Sequence, residues 1–197
     1  MGSTLGEPDE ILTPMAEQLW TIGHSTRTED EFLALLATHG IRHVADVRRY
    51  PFSRRYPHFN GDRLAAALHK AGIFYSHEPG LGGRRKAQPD STNLAWKNES
   101  FRGYADYMGT EDFQRAMEEL MAYGTNQCTV ILCAEAVPWR CHRQLIADAL
   151  VARGWAVHHI LGADRTGLHQ ITTFAALDQG QITYPQLPTD ADSLLLF

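Results

Sequence analysis

Short apolar runs alternate with amphipathic stretches along most of the chain. Gln18 to His24 (QLWTIGH) is an apolar run closed by Gly-His and predicts a strand. Thr28 followed by Glu31 forms a capping box. Phe32, Leu35, Leu36 and His39 then recur at helical spacing, and Gly40 stops the helix. Ile41 to Val47 predicts a second strand. Asn60 can cap a second helix that carries Leu64, Ala67, Leu68 and Ala71 on one face, with Gly72 as its stop. Ile73 to His77 predicts a third strand, and Leu81-Gly82-Gly83 a sharp turn. Arg84 to Glu99 is polar and aperiodic, as expected of a mobile loop or lid. Ser100 and Thr110 are candidate caps for two more helices, the second carrying Phe113, Met117, Leu120 and Met121. Cys128 to Cys133 (CTVILC) is apolar throughout, which predicts a central parallel strand covered on both faces. A helix over Arg140 to Arg153 and a last strand over Trp155 to Leu161 follow, with a short helix possible around Gln170 to Leu177.

Strands alternating with helices predict an α/β fold: a single Rossmann-like domain with a mostly parallel open sheet flanked by helices. The expected organisation is a loose N-terminal arm over 1–17, the α/β domain over 18–178 and a tail over 179–197. At 197 residues the chain needs neither a disulfide nor a metal to bury a core. The N-terminus lacks the pattern of a secretory signal, no apolar run approaches a membrane span, and the cysteine count of three is odd. A cytoplasmic protein with no membrane partner is the expectation.

Charge is uneven. Arg42 to Lys86 carries ten basic residues against three acidic ones, whereas the formal net charge of the whole chain is −5. Overall acidity argues against a protein that coats nucleic acid, but the basic segment permits a focused anion site.

In an open parallel sheet, ligands bind beyond the carboxyl ends of the strands. The predicted strands deliver His24 and Ser25, then Asp46 and Arg48, then His77 and Glu78, then Cys133 and Glu135, with Cys141, His142 and Arg143 following at once. Pro138 suits a first helical turn, which would set Cys141 near unpaired N–H groups that favour thiolate. Glu135 is a candidate general base. Cys133 reads equally well as the last core residue of its strand.

Arg48 to Phe59 (RRYPFSRRYPHF) interleaves arginines with aromatic rings, and Ser53, Arg54, Arg55 and Tyr56 lie at its centre. Guanidiniums pair with phosphate or carboxylate and stack on π faces, so the segment reads as a grip for an anionic small molecule, a nucleotide or a nucleic acid. Gly82-Gly83 with Arg84, Arg85 and Lys86 can add an anion contact. A metal held by Cys133, Glu135, Cys141, His142 and His24 is the sharpest alternative, although a Cys-to-Cys spacing of eight fits no usual zinc pattern. A haem held by His or Cys stays open, without an attachment motif.

Thr21-Ile22-Gly23-His24-Ser25, Asp46-Val47-Arg48 with Pro51 and Ser53, Leu81-Gly82-Gly83, Cys133-Ala134-Glu135 and Cys141-His142-Arg143 occur in this order between Trp20 and Leu161. Together they resemble the DUF488 family, a domain of unknown function. The resemblance implies an α/β fold and a cytoplasmic, prokaryote-type protein, and it implies no activity. The terminal Ser193-Leu194-Leu195-Leu196-Phe197 is similar to the QLxLF peptide that docks on the bacterial sliding clamp, with Ser193 in place of glutamine. Packing of this tail on its own domain is the favoured expectation.

The residues thus predict an enzyme acting on an anionic, nucleotide-like or nucleic-acid substrate. Cys141 would be nucleophile or acid, Glu135 base, His24 or His142 proton carrier, and Arg48 and Arg143 charge stabilisers. Ser25, Asp46, Arg48, Ser53, Arg54, Arg55, Tyr56, Gly82 and Gly83 would bind substrate. A thiol, metal or haem redox protein and a non-catalytic nucleic-acid or clamp-binding module are the alternatives.

Overall fold

The computed structural model describes residues 17–178 and 180–186. The N-terminal arm to residue 16 and the clamp-like tail at 193–197 lie outside them. Strands β1 (Gln18–Gly23), β2 (His43–Asp46), β3 (Phe74–His77), β4 (Thr129–Cys133) and β5 (Ala156–Gly162) form a parallel sheet. Strand β6 (Arg165–Leu168) adds antiparallel to β5, giving the order β3-β2-β4-β1-β5-β6.

Helices cover both faces. On one side α1 (Glu29–Thr38) and α2 (Gly61–Lys70) pack Phe32, Leu36, Leu64 and Leu68 against Ile22, Val44, Val130 and Leu132. On the other, α3 (Glu99–Met108), α4 (Glu111–Asn126) and α5 (Arg143–Val151) bury Tyr104, Met117, Leu120 and Leu145 against Leu19, Ala45, Ile131 and Cys133. Successive residues of β4 go to opposite faces, and all five are buried. That accounts for its unbroken apolar sequence. The fold class is the one that the alternating pattern predicts.

Local signals place most boundaries. The Thr28–Glu31 capping box is present, and Gly40 takes the positive φ (63°) needed just past α1. Thr110 caps α4 through Phe113 N–H. Four details differ. Asn98, not Ser100, caps α3, because its side-chain oxygen reaches the Ser100 and Phe101 N–H groups. Asn60 precedes α2 without a side-chain cap, since its Oδ1 accepts from Ser53 N–H. Pro138 opens a short 3-10 turn closed by Cys141 N–H to Pro138 O, so α5 starts only at Arg143 and Cys141 stands before it in extended conformation. The stretch expected as a helix near 170–177 instead enters the hairpin of β7 (Ala176–Asp178) and β8 (Gln181–Thr183). Beyond it Tyr184 is fully buried in the core.

The segment from Arg84 to Glu99 has no helix before its last residue and no strand, as its polarity predicts. It is nevertheless pinned. Asp106 accepts from Gln88 N–H, the Ser91 hydroxyl and the Asn93 amide, and Asn93 is itself buried beside Tyr184.

Strands β1 and β4 are neighbours whose connections leave in opposite directions. The chain after β1 passes through α1 to β2, and the chain after β4 passes through α5 to β5. Where connections diverge, a crevice opens beyond the strand ends.

Candidate functional site

A cleft of about 670 Å³ lies at this crevice. Its floor carries Cys133 and Ala134 from the end of β4, Cys141 and His142 from the approach to α5, and His24 and Ser25 from the end of β1. The backbone pairing of β1 with β4 continues through His24 N–H to Cys133 O and Ser25 N–H to Ala134 O, both 2.9 Å. Ser25 then turns with a positive φ of 52°. Gly23 permits this crossing, because a Cβ there would overlap the Glu135 carbonyl.

The walls are cationic and aromatic. Arg48, Arg49, Arg55, Arg84 and Arg140 line the cleft, with Glu135 the one carboxylate among the lining residues. Tyr50 and Phe52 line it too, with about two thirds of each side chain exposed. The Arg84 guanidinium lies over the Tyr50 ring at 5.9 Å, and that of Arg55 over Tyr56 at 5.4 Å. Ser53 lines the cleft and accepts from Tyr56 N–H, so it also shapes the loop.

Cys133, Cys141 and His142 are brought together with their donor atoms within 4.8 Å of one another. His142 Nε2 lies 3.1 Å from the Val47 carbonyl, and an acceptor there requires the proton on Nε2. Nδ1 faces Cys141 Sγ at 3.7 Å: it accepts the proton of a Cys141 thiol, and once it holds that proton it donates to the sulfur anion. The Gly83 backbone lies against the same ring, for a Cβ on Gly83 would sit 2.9 Å from Nδ1. Tyr104 steadies this turn through its hydroxyl to Leu81 O at 2.8 Å.

Arg143 donates from Nε to Cys141 Sγ at 3.4 Å, from a terminal nitrogen to Thr21 Oγ1, and from the other to the Glu135 carbonyl. It is 1% exposed and forms no salt bridge among the described residues. A guanidinium stays charged, and leaving it buried without an anion costs several kcal/mol. The Cys141 sulfur is its one titratable hydrogen-bond partner among these residues. The neighbouring Cys133 thiol holds Cys141 well below the ordinary thiol range, and His142 and Arg143 act in the same direction against burial. Cys133, beside that sulfur and buried, is raised correspondingly. Of the two sulfurs, Cys141 is the one that receives the Arg143 N–H and whose anion this arrangement favours.

The trio is the one close group of potential metal ligands of its kind among the described residues, and the expected set of five is divided. The Glu135 side chain is exposed, and His24 turns elsewhere. Arg143 already places a fixed positive charge against the sulfur, which opposes a second cation there.

His24 stacks on Phe59 with ring centroids 4.2 Å apart. Its Nδ1 donates to Ser25 O, and its Nε2 faces an Arg48 nitrogen at 3.4 Å. Burial, then the Arg48 charge, lowers it to about 4, which makes it a weak proton acceptor. Asp46 is fully buried beneath the cleft. Its oxygens accept from the Arg48 guanidinium and the Tyr75 hydroxyl, so it orients Arg48 and does not line the cavity. Arg54 is exposed outside the lining, and Gly82 is buried against the Arg49 backbone.

Residues 28–150 match a family described as a domain of unknown function, DUF488. The chain belongs to that family. The DUF488 match takes in both arginine segments, Cys133 and the Cys141-His142-Arg143 run, and it begins at residue 28, after Thr21, His24 and Ser25. No curated protein and no solved structure matches the chain.

Sequence reasoning missed Arg140 as a wall of the cleft. It named Thr21 only within the Thr21–Ser25 motif, without a role, and missed Asp148 and His169 entirely. Asp148 left one signal, a carboxylate amid the apolar residues Leu145, Ile146, Ala147, Ala149 and Leu150.

No helix among the described residues is long and apolar enough to cross a membrane.

Proposed function

We propose that the protein is an enzyme in which the Cys141 thiolate attacks an anionic, nucleotide-like or nucleic-acid substrate held in the arginine-lined cleft. The observation that carries this reading is Arg143, a buried cation whose one titratable partner is the Cys141 sulfur at the cleft floor. An attacking thiolate forms a bond to an electrophilic centre of the substrate while the leaving group departs with its electron pair. His142 Nδ1 is placed to take the thiol proton and return it to that leaving group. Arg49, Arg55, Arg84 and Arg140 supply bidentate contacts for phosphate, and the exposed Tyr50 and Phe52 rings supply stacking surfaces. Glu135 is less well placed as the base, because its side chain is exposed and its backbone carbonyl, not its carboxylate, meets Arg143.

The test is iodoacetamide alkylation followed peptide by peptide in a mass spectrometer. At about pH 6.5, where an ordinary thiol is mostly protonated, Cys141 should react ahead of Cys128. Adenosine monophosphate or a short single-stranded oligonucleotide should protect it, and Arg55→Ala combined with Arg84→Ala should weaken that protection. Equal reactivity of Cys141 and Cys128 would overturn the thiolate. Failure of every anion to protect would overturn the substrate class.

A second reading, a thiol redox couple, is favoured by one observation: Cys133 and Cys141 are adjacent free thiols. It requires Cys133 for turnover, whereas the first reading requires Cys133 only to tune Cys141.

A further inference from the structure

Behind Arg143 lies a run of buried polar side chains that the thiolate reading leaves unused. A terminal nitrogen of Arg143 donates to Thr21 Oγ1 at 3.3 Å. Thr21 Oγ1 lies 2.8 Å from His159 Nδ1, and His159 Nε2 lies 3.0 Å from His169 Nδ1. His169 Nε2 reaches Asp148 Oδ1 at 2.8 Å. All five residues are buried, the most exposed of them at 7%. Asp148 is further held by Thr172 N–H, the Thr172 hydroxyl and the Tyr184 hydroxyl.

The direction of the chain is forced from both ends. A carboxylate only accepts and a guanidinium only donates. Asp148 therefore requires the proton on His169 Nε2, which leaves His169 Nδ1 to accept from His159 Nε2–H. His159 Nδ1 must then accept the Thr21 hydroxyl proton, and a Thr21 lone pair is left for Arg143. Every donor points toward Asp148. A proton added to either imidazole would leave one donor of the chain without an acceptor. Burial, followed by the neighbouring His169 and Arg143, lowers His159 to about 3, which keeps that ring neutral.

We infer that Thr21, His159, His169 and Asp148 are positioning residues for Cys141: their one-way chain fixes the Arg143 guanidinium so that its Nε donates to the sulfur. The inference rests on the thiolate reading and deepens it. Arg143 leans on an acceptor at Thr21 whose own proton must be taken up elsewhere, and His159 is what takes it. The other titratable groups facing Cys141 are Cys133 from β4, His142 beside it and Tyr104 from α3.

The experiment is the pH profile of Cys141 alkylation by iodoacetamide in the full chain, for wild type, Thr21→Val and Thr21→Ser. Thr21→Val should lower the rate near pH 6 about tenfold and leave the rate near pH 10 unchanged, a midpoint about one unit higher. Thr21→Ser keeps the hydroxyl and should keep the wild-type profile. A merely structural role would not shift the midpoint and restore it with serine. An unchanged Thr21→Val profile beside an acid-shifted wild type would overturn the positioning role alone. An ordinary thiol profile in the wild type would overturn the thiolate reading and this inference with it. If Thr21→Val does not fold, ring-nitrogen spectra of wild-type His159 and His169 near pH 7 decide. Both must carry the proton on Nε2, and an Nδ1–H tautomer at either ring would overturn the chain.

Discussion

Two buried arginines stand near the ends of neighbouring strands, and they are neutralised differently. Arg48, 6% exposed, has the Asp46 carboxylate two residues away and also donates to the Phe59 carbonyl at 2.8 Å. Its charge is accounted for within a local turn, and its backbone carbonyl accepts from His77. Arg143, still more buried, has a hydroxyl, a carbonyl and a sulfur. The first arrangement is complete without ionising anything unusual. The second is complete only when Cys141 is an anion. A buried cation without a carboxylate is therefore a pointer to chemistry, while one with a carboxylate points to architecture.

The comparison can be broken most severely at Asp46. Asp46→Ala leaves Arg48 buried and unpaired, and should destabilise the fold by about 3–5 kcal/mol in urea unfolding. A loss under about 1 kcal/mol would show that Arg48 does not depend on Asp46. Arg143→Met removes the other cation. Because Cys141 can then take up a proton, the cost is confined to the Thr21 and Glu135 acceptors it leaves, about 1–3 kcal/mol. The same variant should slow Cys141 alkylation near neutral pH about tenfold for each unit by which the thiol rises. Unchanged alkylation would remove Arg143 as the counter-ion. The smallest effect is expected at a third arginine pair, Arg115 with Asp112 at 3.5 Å, where both side chains are mostly exposed. Asp112→Ala should change stability by no more than about 0.5 kcal/mol, since water already screens the pair. A larger loss there would mean that burial is not what separates the three.

Much of the architecture is legible in local patterns. The unbroken apolar run of β4, the Thr28–Glu31 box and the stop at Gly40 each act within a few residues, where periodicity and capping operate. The same holds for the strand-end residues His24, Cys133 and the Cys141-His142 pair, which do meet in one cleft. The pairing of β7 with β8 was not legible as such, because three-residue strands are too short to show a period. Asn98 competed with Ser100 for the start of α3, and only backbone geometry decides between neighbouring polar residues.

The sequence by itself determined that chemistry-bearing residues would gather at the carboxyl edge of a parallel sheet, since strand ends follow from where apolar runs stop. Tertiary structure alone decided which of those residues answer one another. Thr21 meets His159 because β1 and β5 pair in that register, and His169 and Asp148 complete the chain from a returning strand's end and a helix. Hydrogen-bond partners 138 residues apart leave no local trace. Their meeting depends on strand order and register, which are properties of the whole packed sheet.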